Sequence, residues 1–113
     1  MRKDGKVDYV EMPSTDLPET KRFYAEAFGW SFTDYGPDYA AFDEGLDGGF
    51  HNGADETGSK VPMVVLYAED LEAMEARVRA AGGEITRPIF SFPGGRRFHF
   101  RDPGGNELAA WSE

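Results

Sequence analysis

Cysteine is absent from this chain, long apolar runs are absent, and positive charge is scarce. Without cysteine there are no disulfides, no thiolate metal ligands and no thiol nucleophile. A reducing, cytoplasmic setting is the location that fits this usage. No stretch approaches the roughly 20 apolar residues needed to span a bilayer, so no membrane partner is expected. The opening MRKDGKVDYV carries basic residues with no apolar segment behind them, which argues against a secretory signal. Twelve basic side chains stand against 21 acidic ones, a formal charge of −9. That balance opposes binding to nucleic acid, whose phosphates call for a basic face. It suits solubility and, for a ligand, a cationic one. No Ser-His-Asp grouping, phosphate-cradling glycine loop or nucleotide fingerprint occurs.

What is present is a repeat. Residues 61–85 register on residues 7–31 without a gap, at an offset of 54. Val7 falls on Val61, Val10 on Val64, Asp16 on Asp70, Leu17 on Leu71, Ala27 on Ala81 and Gly29 on Gly83. The 113 residues are one domain by length, and sixteen aromatics give a core-forming composition. A first module is expected over 7–52, a polar linker over 53–60 and a second module over 61–112. Two copies facing each other would leave a cleft between them.

Each half reads as strand, helix and three further strands. Residues 7–13 alternate as a strand does and stop at Pro13. Asp16 is a helix cap, followed by Pro18 and by Glu19 three positions on. Leu17, Tyr24 and Phe28, with Phe23 and Ala27, are expected to form the apolar face of a helix that ends at Gly29. Strands are expected at 30–35, 38–43 and about 49–52. In the second half, 61–67 is a strand and Asp70 caps a helix with the stripe Leu71, Met74, Val78, Ala81. Strands follow at 84–90, 96–101 and 107–111, separated by Pro-Gly and Gly-Gly turns.

Asp16-Leu17, then Phe23-Tyr24, then Phe28-Gly29-Trp30 resembles the opening of the glyoxalase/bleomycin-resistance/dioxygenase superfamily, also called vicinal oxygen chelate (VOC) proteins. The tail Asp102-Pro103-Gly104-Gly105-Asn106 resembles that family's closing turn before its last strand. The resemblance covers roughly residues 7–112. It implies an α+β fold of two tandem βαβββ modules forming a curved mixed sheet around a cleft, with helices outside. It also implies a homodimer. Activities in the family run from isomerisation and dioxygenation to drug sequestration, so fold does not settle function.

The resemblance also implies where a divalent metal would be held, by His and Glu side chains at inward strand positions. One such position, seven residues before the capping Asp, is Tyr9. Its repeat equivalent is Met63. Another, three residues after the Asn of the closing turn, is Ala109. A further one falls within Gly49–His51. Tyr, Met and Ala do not supply the donors of the usual site, so no metal and no other cofactor is expected. Glu107 stands in the right loop but one residue after Asn106 instead of three.

Alternation, together with the family's habit of packing helices on the opposite face, places Tyr9, Glu11, Met63, Val65, Tyr67, Ala109 and Trp111 toward the cleft. Phe50 is added as an aromatic lining residue, with Phe42, Phe90 and Phe92 as further pocket-or-core aromatics. These are the candidate ligand-binding positions. Glu11, the one inward carboxylate, is the candidate catalytic acid/base, with His99 as a proton carrier. Each has an ordinary alternative: Glu11 as a solvated carboxylate at an edge, His99 as a surface histidine beside Arg97 and Arg101, the aromatics as core. Three functions therefore stay open. The first is metal-independent binding of a small molecule, with sequestration of a cationic compound as its concrete form. The second is a lyase, isomerase or dioxygenase of the same superfamily. The third is a non-catalytic interaction module.

Overall fold

In the computed structural model, residues 2–53 and 60–113 are described. Most of the expected linker, 54–59, lies outside the described residues. The chain divides into two compact units. One is Tyr9–Met63; the other is Val64–Glu113 together with the first eight residues. We call them the N-terminal and C-terminal modules. Each has a helix and a mixed four-stranded sheet, which makes the chain α+β with a duplicated βαβββ plan.

The N-terminal module runs β1 (Val7–Pro13), α1 (Leu17–Phe28), β2 (Thr33–Asp34), β3 (Tyr39–Asp43) and β4 (Asp47–His51). Its strand order is β2-β3-β4-β1. The β1–β4 pair is parallel and the rest are antiparallel. Asp16 caps α1 by accepting the Glu19 N–H at 3.2 Å. Gly29 closes the helix in the left-handed conformation, φ 76°, and donates its N–H to Ala25. Leu17 and Tyr24 face the sheet, where Leu17, Ala40, Phe42 and Phe50 form the core with Val10, Met12, Trp30 and Phe32 around them.

Two expectations fail here. Phe23, Ala27 and Phe28 are exposed and are not part of the buried face. Only the stripe through Leu17 and Tyr24 meets the sheet; Phe23 lies one position, about a quarter turn, off that stripe and rests edge-on against Tyr24. The strand expected at 30–35 shrinks to Thr33–Asp34. Trp30 and Phe32 send their rings into the core from non-strand backbone, Trp30 stacking on Tyr24 with ring centroids 4.7 Å apart.

The C-terminal module runs β5 (Met63–Tyr67), α2 (Leu71–Ala80), β6 (Glu84–Phe92), β7 (Gly95–Arg101) and β8 (Glu107–Ser112), in the order β5-β8-β7-β6. Asp70 caps α2 through the Ala73 N–H. Leu71 and Met74 are buried with Ala68, Phe98, Phe100 and Ala110, and Val78 packs beside them, so three of the four expected stripe residues meet the sheet; Ala81, the fourth, is exposed at the C-cap, one residue past the helix end. Pro88 lies in β6, the outermost strand; the β6–β7 register shifts between Arg87 and Phe90, around a residue with no N–H to pair. Residues before Asp8 belong to this module. Tyr67 donates its N–H to Lys6, and Gly5 donates its own to Tyr67.

Strand pairing extends the repeat beyond what a constant offset finds. Glu11 pairs with Gly49 in β1–β4 as Val65 pairs with Ala109 in β5–β8. In the neighbouring pairs, Tyr39 opposes His51 and Ala41 opposes Gly49, as Arg97 opposes Trp111 and His99 opposes Ala109. The offset therefore grows from 54 in the helix to about 58 in the third strand and 60 in the fourth. The longer β6 takes up the extra residues.

Candidate functional site

In each module the side chains that alternate away from the helix form a second, polar sheet face. On the N-terminal module this face carries Tyr9 and Glu11 from β1, Tyr39 and Ala41 from β3, and Gly49 and His51 from β4. Glu11 is buried. The Tyr39 ring lies across Gly49 and places its hydroxyl in a hydrogen bond with the Tyr9 hydroxyl. A β-carbon added at Gly49 would collide with the Tyr39 ring, so the glycine is what admits it. His51 is also buried. Its Nδ1 accepts the Gly53 N–H at 3.2 Å, which leaves the proton on Nε2. That Nε2 has no hydrogen-bond partner among the described residues.

Phe50 is not on this face. It is 3% exposed and packs against Tyr24 and Phe42 in the core beneath α1, so its place among the expected ligand-lining residues is corrected. The reason is strand parity: Phe50 pairs with Met12 and Ala40, the helix-side residues of the adjacent strands. Phe42 is on the helix side as well.

On the C-terminal module the corresponding face carries Val65 and Tyr67 from β5, and Ala109 and Trp111 from β8. Arg97 and His99 come from β7, and Arg87, Phe90 and Phe92 from β6. Met63, at the start of β5, is 1% exposed. Val65, Arg97, His99 and Ala109 are buried, while Tyr67, Arg87, Phe90, Phe92 and Trp111 keep partial exposure. Aromatic rings cover the cations. Arg87 Cζ sits 4.0 Å from the Phe90 centroid, and Arg97 Cζ lies 5.6 Å and 5.7 Å from Phe90 and Phe92. Trp111 Nε1 donates to Asp8 at 2.9 Å, and Arg2 stands over the indole at 5.0 Å. The Tyr67 hydroxyl donates to Glu113 at 3.4 Å; partial desolvation and that carboxylate raise its pKa, which keeps it a donor.

His99 is neutral at physiological pH. Burial first, then the positive charge of Arg97, holds its imidazole down at about 4, with Arg87 acting in the same sense and Glu107 against it. The residue can accept a proton, but it offers no imidazolium near pH 7. Its Nε2, like that of His51, has no hydrogen-bond partner among the described residues.

The donor chemistry does not fit the metal that the family resemblance implies. Strand pairing now places the first-module position that sequence could not: Gly49 is the equivalent of Ala109. Tyr9, Gly49, Met63 and Ala109 offer one phenol and no carboxylate or imidazole. Glu107 is engaged elsewhere, accepting the Thr86 hydroxyl at 2.7 Å. Among the described residues no three His, Asp or Glu side chains converge.

Two residues on these faces escaped the sequence reading. Tyr39 was hidden because its role depends on a neighbouring strand. The signal was a Gly-Gly pair inside β4 with an aromatic-bearing strand beside it. Arg87 was hidden by the register shift in β6.

A family model for the Glyoxalase/Bleomycin resistance protein/Dioxygenase superfamily matches residues 6–110. The chain is 29% identical over 128 residues to the anthracycline biosynthesis protein DnrV of Streptomyces peucetius; the match covers 95% of this chain and 46% of that protein. The chain thus spans about half the length of the curated relatives it matches. Methylmalonyl-CoA epimerase from Mycobacterium tuberculosis superposes with a TM-score of 0.75 at 16% identity, over 99% of this chain and 90% of that one. A Legionella pneumophila structure described as an NAD-dependent benzaldehyde dehydrogenase reaches 0.77 at 14% identity, over 92% and 96%. Neighbours this distant, with such different descriptions, establish the fold alone.

Proposed function

The chain belongs to the Glyoxalase/Bleomycin resistance protein/Dioxygenase superfamily, and from that premise we propose that it is a small-molecule-binding member that works without the superfamily's usual divalent metal. The observation that carries this reading is Tyr39 lying across Gly49. The side chain that would reach inward from that strand position is missing, and a tyrosine from the next strand fills its space and bonds to Tyr9. A hydroxyl pair thus occupies the region where the family arrangement calls for metal-ligand side chains. On each module's own polar face a buried histidine, His51 in one and His99 in the other, has an Nε2 with no hydrogen-bond partner among the described residues, which supports recognition of a polar molecule. A buried polar atom left without a hydrogen bond carries its desolvation cost, which a ligand partner offsets.

Sequestration of a cationic compound, the concrete form suggested by net charge, draws support from Glu11 alone. The charges acting on His99 at the C-terminal face are Arg87, Arg97 and the Thr86-bonded Glu107. The test of the metal-free reading is metal content. Protein produced with Mn, Fe, Ni and Zn supplied should carry well under one equivalent of any of them, and chelator should leave its melting temperature unchanged. One tightly held equivalent per chain, with melting lowered by chelator, overturns the reading.

A further inference from the structure

We propose that the polar face of the C-terminal module is an anion site that recognises the carboxylate of a small aromatic molecule, held by Arg87 and Arg97 and by the His99 Nε2, and flanked by Phe90, Phe92 and Trp111. The proposal rests on the small-molecule reading above and names the chemical class of its ligand.

Two cations and one buried histidine share this patch. Arg87 pairs in register with His99 across β6–β7, and Phe90 with Arg97. Phe90 then touches all three. Its ring is 5.5 Å from the His99 ring, edge to face, and lies under both guanidiniums. Stacking on a ring face leaves a guanidinium's in-plane N–H edge unblocked by the ring. A guanidinium presents five N–H donors in a planar fork that matches a carboxylate.

The second observation is independent of charge. His99 is 94% buried, being 6% exposed, and its Nε2 has no hydrogen-bond partner among the described residues. Buried polar atoms without partners are uncommon in folded proteins, and each calls for an explanation. A ligand oxygen between His99 and the two arginines supplies the missing partner. The aromatic half of the ligand follows from the rim, where Phe90, Phe92 and Trp111 keep partial exposure and Phe92 lies 6.3 Å from Trp111 between ring centroids. Around His99 the two arginines outnumber the one carboxylate, Glu107, whereas the chain as a whole carries −9. A total charge describes long-range attraction, whereas a bound group feels the side chains within a Debye length or less.

The experiment is a titration of 15N-labelled protein with sodium benzoate at fixed ionic strength, followed by NMR. Inorganic phosphate and benzylammonium are run in parallel. Benzoate should shift the Trp111 indole N–H and the His99 ring saturably. Arg97→Gln and Arg87→Gln should each weaken it by about tenfold, as expected when one charged hydrogen bond to a ligand is lost. Arg87 is partly exposed, so its variant keeps the test meaningful if Arg97→Gln does not fold. No saturable shift at about 10 mM benzoate, weaker than fragment-range affinity, overturns the proposal. So does unchanged affinity in a folded Arg87→Gln. Phosphate binding as tightly as benzoate overturns the aromatic part and with it the assignment. Saturable benzylammonium binding at these residues overturns it too, yet leaves the small-molecule reading standing. Metal uptake would remove the metal-free part of that reading and leave the small-molecule part, on which this proposal rests, untouched.

Discussion

The two modules share a backbone plan and differ in where they keep their side-chain volume. In the N-terminal module β4 contributes Gly48 and Gly49, and the neighbouring strand β3 lays an aromatic ring over each: Phe42 over Gly48 on the helix side, Tyr39 over Gly49 on the polar side. In the C-terminal module the equivalent β8 positions are Leu108 and Ala109, which carry their own side chains, and the equivalents of Ala41 and Tyr39 are His99 and Arg97. Caps, helix stripes and strand parity are retained while the polar faces diverge. Duplication fixes the geometry that folding needs. It leaves the inward residues of each copy free to take different chemistry, a hydroxyl pair in one and a cationic, aromatic patch in the other.

The sharpest way to break this comparison is to make β4 resemble β8. A β-carbon at Gly48 would meet both Phe42 Cζ and the Val10 carbonyl oxygen at 2.5 Å. The carbonyl is backbone and cannot rotate away, so Gly48→Leu should cost more than about 3 kcal/mol, at the upper end of overpacking penalties. Ala109→Gly, the reverse change in the other module, should cost only about 1 kcal/mol, since it removes one methyl and adds backbone freedom. Urea denaturation of both variants measures the contrast. Similar small effects would mean that the Phe42 ring does not depend on the glycine beneath it.

The second prediction tests the neutral state of His99 by pH. The His99 imidazole lies at about 4 in the folded protein against about 6.5 unfolded, through burial and the charge of Arg97 with Arg87, partly offset by Glu107. The unfolded chain therefore binds this proton more readily. Stability from this site is intact above pH 6.5 and is lost progressively as pH falls toward 4, by roughly 3 kcal/mol at its limit. His99→Gln should flatten that part of the stability profile between pH 6.5 and 4, and the difference between wild-type and variant curves isolates it from carboxylate titration. If the two curves run parallel, the neutral-histidine account of this face is wrong.

How much of this was legible in sequence follows a physical line. Local signals were reliable: Asp16 and Asp70 as caps, Gly29 as a stop, and Leu71, Met74 and Val78 as a buried stripe depend on residues within one or two turns. Strand parity at Tyr9, Glu11, Val65 and Trp111 was also readable, because alternation is a local property. What failed needed a neighbour from another strand. Phe50 was counted as a lining residue for its aromatic ring, and only its pairing with Met12 and Ala40 on the adjacent strands fixes it on the helix side. Tyr39 was passed over because its importance comes from Gly49, ten residues away in sequence and diagonal to it across β3–β4. Phe23 and Phe28 were counted as core because apolarity was read without a sheet to say how narrow the contact would be.

The smallest expected effect tests the hydroxyl pair itself. Tyr39→Phe keeps the ring over Gly49 and removes only the oxygen that meets Tyr9. The site is partly buried, so the loss should be about 1 kcal/mol, the usual net worth of one neutral hydrogen bond. The effect should be local, with the C-terminal face keeping its Trp111 and His99 resonances unmoved. Tyr39→Ala, which also removes the ring, should cost more, and Gly49→Ala placed on that background should recover part of the loss by restoring volume to the strand. A double-mutant cycle over Tyr39 and Gly49 reads this directly. Additive effects would show that the ring and the glycine beneath it are independent. In that case the first module would have lost its inward side chain at position 49 without the neighbouring strand having replaced it.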